Sequence, residues 1–137
     1  MIPLAVLSLC LSLALSDRPI KWVDYSKANL TRSLEENHPV MIYFSADWDL
    51  TSVYNEKDSI DTWWVRHLLR KNRVVTMRAD MTNRKPDVVD ELESIGRQTV
   101  PVIAIYTPGA GSSPSILDGL MTEEQLCDAL RNIKNGR

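Results

Sequence analysis

Cysteine, net charge and long apolar runs are all scarce in this sequence, and each shortage excludes a class of protein. Two cysteines in 137 residues, Cys10 and Cys127, cannot build the dense disulfide framework of a small secreted scaffold. Lys and Arg number 16 against 18 Asp and Glu, a net charge of −2, so the chain as a whole carries no basic field for a phosphate backbone and nucleic acid is not expected as a partner. The longest apolar stretch, Ile2 to Leu15, falls short of the roughly 20 residues a membrane-crossing helix needs. His38 and His67 stand apart, without zinc-ligand spacing. Ser52 lacks the G-x-S-x-G elbow of a hydrolase. A calcium loop opening at Asp47 would need glycine and glutamate where Ser52 and Asp58 stand. No cofactor or metal is called for. There is no internal repeat and no low-complexity tract.

What is present is an ordinary globular composition, 44% hydrophobic and 25% charged, at a length suited to one domain. Such a chain holds a core without metal or disulfide. Residues 1–16 differ in kind: they carry no charged side chain and match the apolar region of a signal peptide. Ala14 and Ser16 place small residues at −3 and −1 of a cut before Asp17, although no Lys or Arg precedes the run. The expected division is a leader over 1–16 and a domain over 17–137, in a protein that is exported, periplasmic or secreted. Any membrane contact would run through an uncleaved leader; a buried helix is the remaining reading. Removal of the leader would leave Cys127 as a lone thiol, read as half-buried on a helix flank. Asn29-Leu30-Thr31 is a glycosylation sequon, meaningful only in a eukaryotic secretory pathway.

Periodicity then orders the domain. A helix is expected from Asp24-Tyr25-Ser26 to Asn37, with Asp24 as candidate N-cap. Val40–Phe44 reads as a strand buried on both faces. The polar stretch from Asp47 to Asp61 carries helix-start chemistry, and Trp63, Trp64, Leu68 and Leu69 give a second helical face, one Trp ring inward and one partly exposed. Val74–Met77 is the next strand. Asp87–Ile95 is a helix opened by Pro86 and stopped by Gly96. Val102–Tyr106 and the region of Ile116-Leu117 are strands flanking a Pro-Gly-Ser loop. Thr122 and Gln125 form a capping box for a last helix with Leu126, Ala129, Leu130 and Ile133 inward. The alternation implies an α/β protein, a three-layer α/β/α sandwich around a mixed sheet of about four strands.

This order resembles that of the thioredoxin fold, and three segments narrow the resemblance. Tyr43-Phe44-Ser45-Ala46-Asp47-Trp48-Asp49-Leu50-Thr51-Ser52-Val53-Tyr54-Asn55-Glu56 resembles the D-F-T-A-D-W-C-L-T-C-K-V-N-E segment of DsbD-type thiol:disulfide interchange proteins. Arg78-Ala79-Asp80-Met81-Thr82-Asn83-Arg84-Lys85-Pro86 is similar to their K-A-D-W-T-N-R-D-P. Ile95-Gly96-Arg97-Gln98-Thr99-Val100-Pro101 echoes the segment that ends in their active-site proline. The resemblance spans about residues 21–135. It implies the C-terminal thioredoxin domain of that family, with a cis Val100–Pro101 bond beside the catalytic turn.

Against the same family, both redox cysteines are replaced, by Asp49 and Ser52. Tyr43 stands where the resemblance places a proton-transferring acid, and Val53 where it places a lysine. Disulfide exchange needs an attacking thiolate and a resolving thiol; a carboxylate and a hydroxyl supply neither. The reading is a degenerate active site, with no catalytic residues, in a binding or accessory protein. Trp48, Asp49, Leu50, Thr51, Ser52, Val100 and Pro101 would form its docking face for a protein or extended peptide partner. The plainer reading of Asp49 is a helix cap. Alternatives are an auxiliary of thiol:disulfide interchange and, more remotely, a Mg-dependent phosphatase. The latter rests on Asp47-Trp48-Asp49-Leu50-Thr51 matching D-x-D-x-T, with Asp47 as nucleophile and Asp49 as acid/base.

Overall fold

The computed structural model describes residues 3–6, 17–109, 111 and 113–133. Most of the leader, including Cys10 and the expected cleavage site, lies outside the described residues, as do Ala110 and Ser112 of the Pro-Gly-Ser loop. Among the described residues no helix is long and apolar enough to cross a membrane.

Five strands form one sheet, not about four. They are β1 (Trp22–Asp24), β2 (Val40–Ser45), β3 (Val75–Asp80), β4 (Val102–Tyr106) and β5 (Ser115–Asp118), in the order β1-β3-β2-β4-β5. β1 and β2 both run parallel to β3, while β2–β4 and β4–β5 are antiparallel. The unforeseen strand is β1, whose three residues are too short to show a period. It also moves the first helix boundary. Asp24 ends β1, and the cap of α1 (Lys27–Glu35) is Ser26, whose hydroxyl accepts from the Asn29 N–H at 3.0 Å.

β2 has every residue buried, as a central strand covered on both faces should. It divides the core. On one side Ile42 and Phe44 meet Met77, Val88 and Leu92; on the other Met41 and Tyr43 meet Val65, Leu68, Leu126 and Leu130. The helices supplying these faces are α3 (Trp63–Lys71), α4 (Pro86–Ser94) and α5 (Glu123–Arg131). α4 begins on Pro86, and Gly96 beyond its end has φ +77°, the left-handed conformation that glycine adopts without penalty. Thr122 and Gln125 complete the capping box of α5.

Two expectations about side chains are corrected. Trp63 and Trp64 do not divide between core and surface. Trp64 is exposed, and Trp63 is only partly buried, stacked on His67 at 5.2 Å. Leu68 and Leu69 face inward as expected, joined by Val65 rather than by the Trp pair, because Thr62 caps the helix and sets its phase. Cys127 is fully buried rather than half-buried, beside Leu126 and Leu130; burial also pushes its thiol pKa up.

Candidate functional site

The end of β2 delivers the chain to α2 (Leu50–Asn55), which continues without a break into a π-helical turn, Glu56–Ile60. Asp49 is the N-cap of α2. Its carboxylate accepts from the Ser52 N–H at 2.9 Å and from the Ser52 hydroxyl at 2.6 Å. Positions 49 and 52 thus sit at a helix start and touch one another through oxygen. The plainer role given to Asp49, the helix cap, is carried by one atom, Oδ2.

Beneath them lies Tyr43, wholly buried, whose hydroxyl donates to the Ser52 carbonyl at 2.5 Å. Burial above all pushes its phenol well beyond the usual tyrosine range, so it is a neutral donor at any physiological pH. Opposite Tyr43 in the sheet stands Arg78. Its guanidinium grips Glu56 through two bonds, of 3.0 and 2.5 Å, and lies 4.7 Å over the Trp22 ring. The hydrogen bond to Glu56 raises the Arg78 pKa further, so this cation is permanent.

The loop before the helix is held by the second resemblance segment. Asp80 accepts from the N–H and hydroxyl of Thr82, the Thr82 hydroxyl accepts from the Asp47 N–H at 3.0 Å, and the Trp48 indole donates to the Thr82 carbonyl at 3.4 Å. These bonds to Thr82 hold the Asp80 carboxyl below its ordinary pKa. The structure therefore shows why the two separated segments belong together: one is the brace of the other.

The third segment arrives from the far side. Val100–Pro101 is cis, as the resemblance implies. Pro101 is buried and its carbonyl accepts from Gly119 at 3.1 Å. Among the described residues the backbone of Val100 takes no hydrogen bond. Asn55, fully buried, donates to the Gly119 carbonyl at 2.8 Å and accepts from the Met121 N–H at 3.2 Å. It pins the loop that carries Leu120 against the end of α2.

The surface so assembled is apolar. Trp48 is 58% exposed, Leu50 83%, Val53 52%, Tyr54 54% and Leu120 68%. Leu50, Val53 and Tyr54 follow i, i+3, i+4 spacing and share one outward face of α2. Of the residues expected at the site, Trp48, Leu50 and Thr51 reach solvent, whereas Ser52 and Pro101 are buried beneath. Val53, Tyr54, Asn55, Thr82 and Leu120 were not among the expected docking residues. The apolar spacing within α2 was available in the sequence; Leu120 joins only through the Asn55 clamp, which no local pattern reveals. Among the described residues no cluster of three or more His, Cys, Asp or Glu side chains could hold a metal ion.

Comparison with known proteins fits this geometry. Residues 21–108 match the model of a family described as thioredoxin-like. A solution structure of a thioredoxin from Thermus thermophilus is similar at a TM-score of 0.68 and 16% identity, covering 83% of this chain and 86% of that one. The oxidised C-terminal domain of DsbD from Neisseria meningitidis gives 0.63 at 17% identity, with 82% and 99% covered. A structure named DsbH oxidoreductase gives 0.66 at 12%, with 85% and 88% covered. Comparison with curated proteins gave no match. The chain belongs to the thioredoxin-like family, with the fold of the DsbD C-terminal domain.

Proposed function

We propose that this protein is a redox-silent thioredoxin-like domain, exported from the cytoplasm, that holds an extended apolar segment of a protein partner. The docking face is the one around Trp48–Ser52 and Val100–Pro101. The observation that carries this is the pairing at the helix start. Asp49 and Ser52 occupy the two positions of the family's cysteines, and each is spent on a hydrogen bond to the other. No sulfur lies there, so neither half of a thiol–disulfide exchange has an atom to proceed on. Five exposed apolar side chains surround that start, and the unpaired Val100 backbone offers a partner the hydrogen bonds of strand addition. Large exposed apolar patches mark interaction sites.

The likeness to the DsbD C-terminal domain and to DsbH supports a second reading, an auxiliary that presents substrates to an active oxidoreductase. The phosphatase reading loses its footing in the geometry. Its motif sits in a thioredoxin fold, and Asp49, the would-be acid/base, is committed to capping α2.

Capture experiments with the wild type, Trp48→Ala and Asp49→Arg test the docking face. A partner lost in both variants, whose binding slows amide exchange over residues 48–54 and at Val100, supports the reading. Partners unchanged in both variants would overturn it. An auxiliary role is separated by the partner's chemistry, because it requires a captured protein with a reactive dithiol.

A further inference from the structure

At the opposite end of the sheet, where β3 begins rather than ends, a groove of about 350 Å³ opens between α3 and the segment leading into β1. Its apolar lining is Ile20, Val23, Leu69, Val74 and Val75. Its charged lining is of one sign only: Arg18, Lys21, Arg66, Arg70 and Arg73. Five of the chain's 16 Lys and Arg residues thus gather here in a protein whose net charge is −2. Arg66 is held by Asp61, through its carboxylate at 2.9 Å and its carbonyl at 3.2 Å. Among the described residues Arg18, Lys21, Arg70 and Arg73 enter no ion pair with an acidic side chain. Arg70 instead donates to the Arg18 carbonyl at 3.4 Å, joining the two walls.

We infer that this groove binds a single-chain amphiphile with an anionic head, an aliphatic carboxylate being the simplest, with its chain along Ile20, Val74 and Val75 and its head among Arg18, Arg70 and Arg73. Three features select that class. The apolar floor rewards a hydrocarbon chain. The uncompensated cations reward a negative head, against the weak negative pole of the α3 C-terminus. The size is at the small end of ligand pockets, which run from roughly 300 to 1,000 Å³, and admits one chain of moderate length rather than a two-chain lipid. This site shares no residue with the docking face around Trp48.

Titration calorimetry of the full chain with submicellar dodecanoate tests it. Saturable one-to-one binding is expected, with affinity falling about fourfold for each methylene removed from the part inside the groove. Dodecyltrimethylammonium should not bind there. The exposed double variant Arg70→Glu/Arg73→Glu should bind at least tenfold more weakly while melting as the wild type does. Lys21→Glu, in the other wall, should weaken binding in the same direction. No saturable heat, equal affinity in both variants, or binding to phosphatidylglycerol vesicles that dodecanoate does not compete would overturn the proposal. The last result would make the basic rim a membrane-facing surface, and capture of an acidic peptide with no effect of dodecanoate would make it a protein site.

Discussion

The Tyr43 hydroxyl donates to the Ser52 carbonyl at 2.5 Å from inside the core, while Asp49 accepts two bonds from the same residue at the surface. Ser52 is clasped from below and above. A position that a redox cycle would need free to gain and lose a bond is here fixed by three hydrogen bonds.

That arrangement makes a stability prediction. Asp49→Ala removes the cap of α2 and should cost about 1 kcal/mol. Asp49→Asn, which can still accept from the Ser52 N–H, should cost clearly less. Urea unfolding checks this as a shift in midpoint without a change in slope. Equal loss in both variants would mean that the negative charge, not the cap, matters at this position.

On the other face of the sheet Glu91, 5% exposed, accepts from the Tyr25 hydroxyl at 2.9 Å and the Tyr106 hydroxyl at 2.7 Å, with the exposed Lys27 ammonium at 3.3 Å. Glu91→Ala would leave two inward phenols without an acceptor, at about 1–3 kcal/mol each. Burial first, and Glu91 second, raise the pKa of both tyrosines above the ordinary value of 10.0. The folded pKa exceeds the unfolded one, so the stability from these groups is complete below pH 10 and is lost as pH rises beyond it. The urea midpoint of the wild type should therefore fall with a steep onset above about pH 10, where free tyrosine ionises. A midpoint insensitive to pH between 10 and 11 would contradict the assignment.

Cys127 is buried on α5 and its thiol pKa is raised, first by that burial. It should react with an aromatic disulfide reagent only as fast as the protein opens, and at once in denaturant. Rapid labelling of the native protein would show an accessible thiol, contradicting its burial.

Much of this was legible in the sequence, and what was missed has physical reasons. Val40–Phe44 and Val102–Tyr106 read as strands because burial on both faces gives unbroken apolar runs. Thr122 and Gln125 announced α5 by a local bond pattern. β1 was invisible because three residues carry no period, and its loss displaced the cap from Ser26 to Asp24. Trp63 and Trp64 were assigned by size and hydrophobicity, yet helical phase set by Thr62 turned Val65, Leu68 and Leu69 inward. At the site, the motif letters located Asp49, Ser52 and Pro101. The brace from Thr82 to Asp47 and the clamp of Asn55 on the Leu120 loop join residues 35 and 66 positions apart, and only the folded chain brings them together.

The most direct measurement is reduction of insulin by the purified protein with glutathione as electron donor. A rate equal to that of glutathione alone is the predicted result. Turnover above that background would contradict the account, because it would require electrons to pass through a face whose two key side chains are a carboxylate and an alcohol.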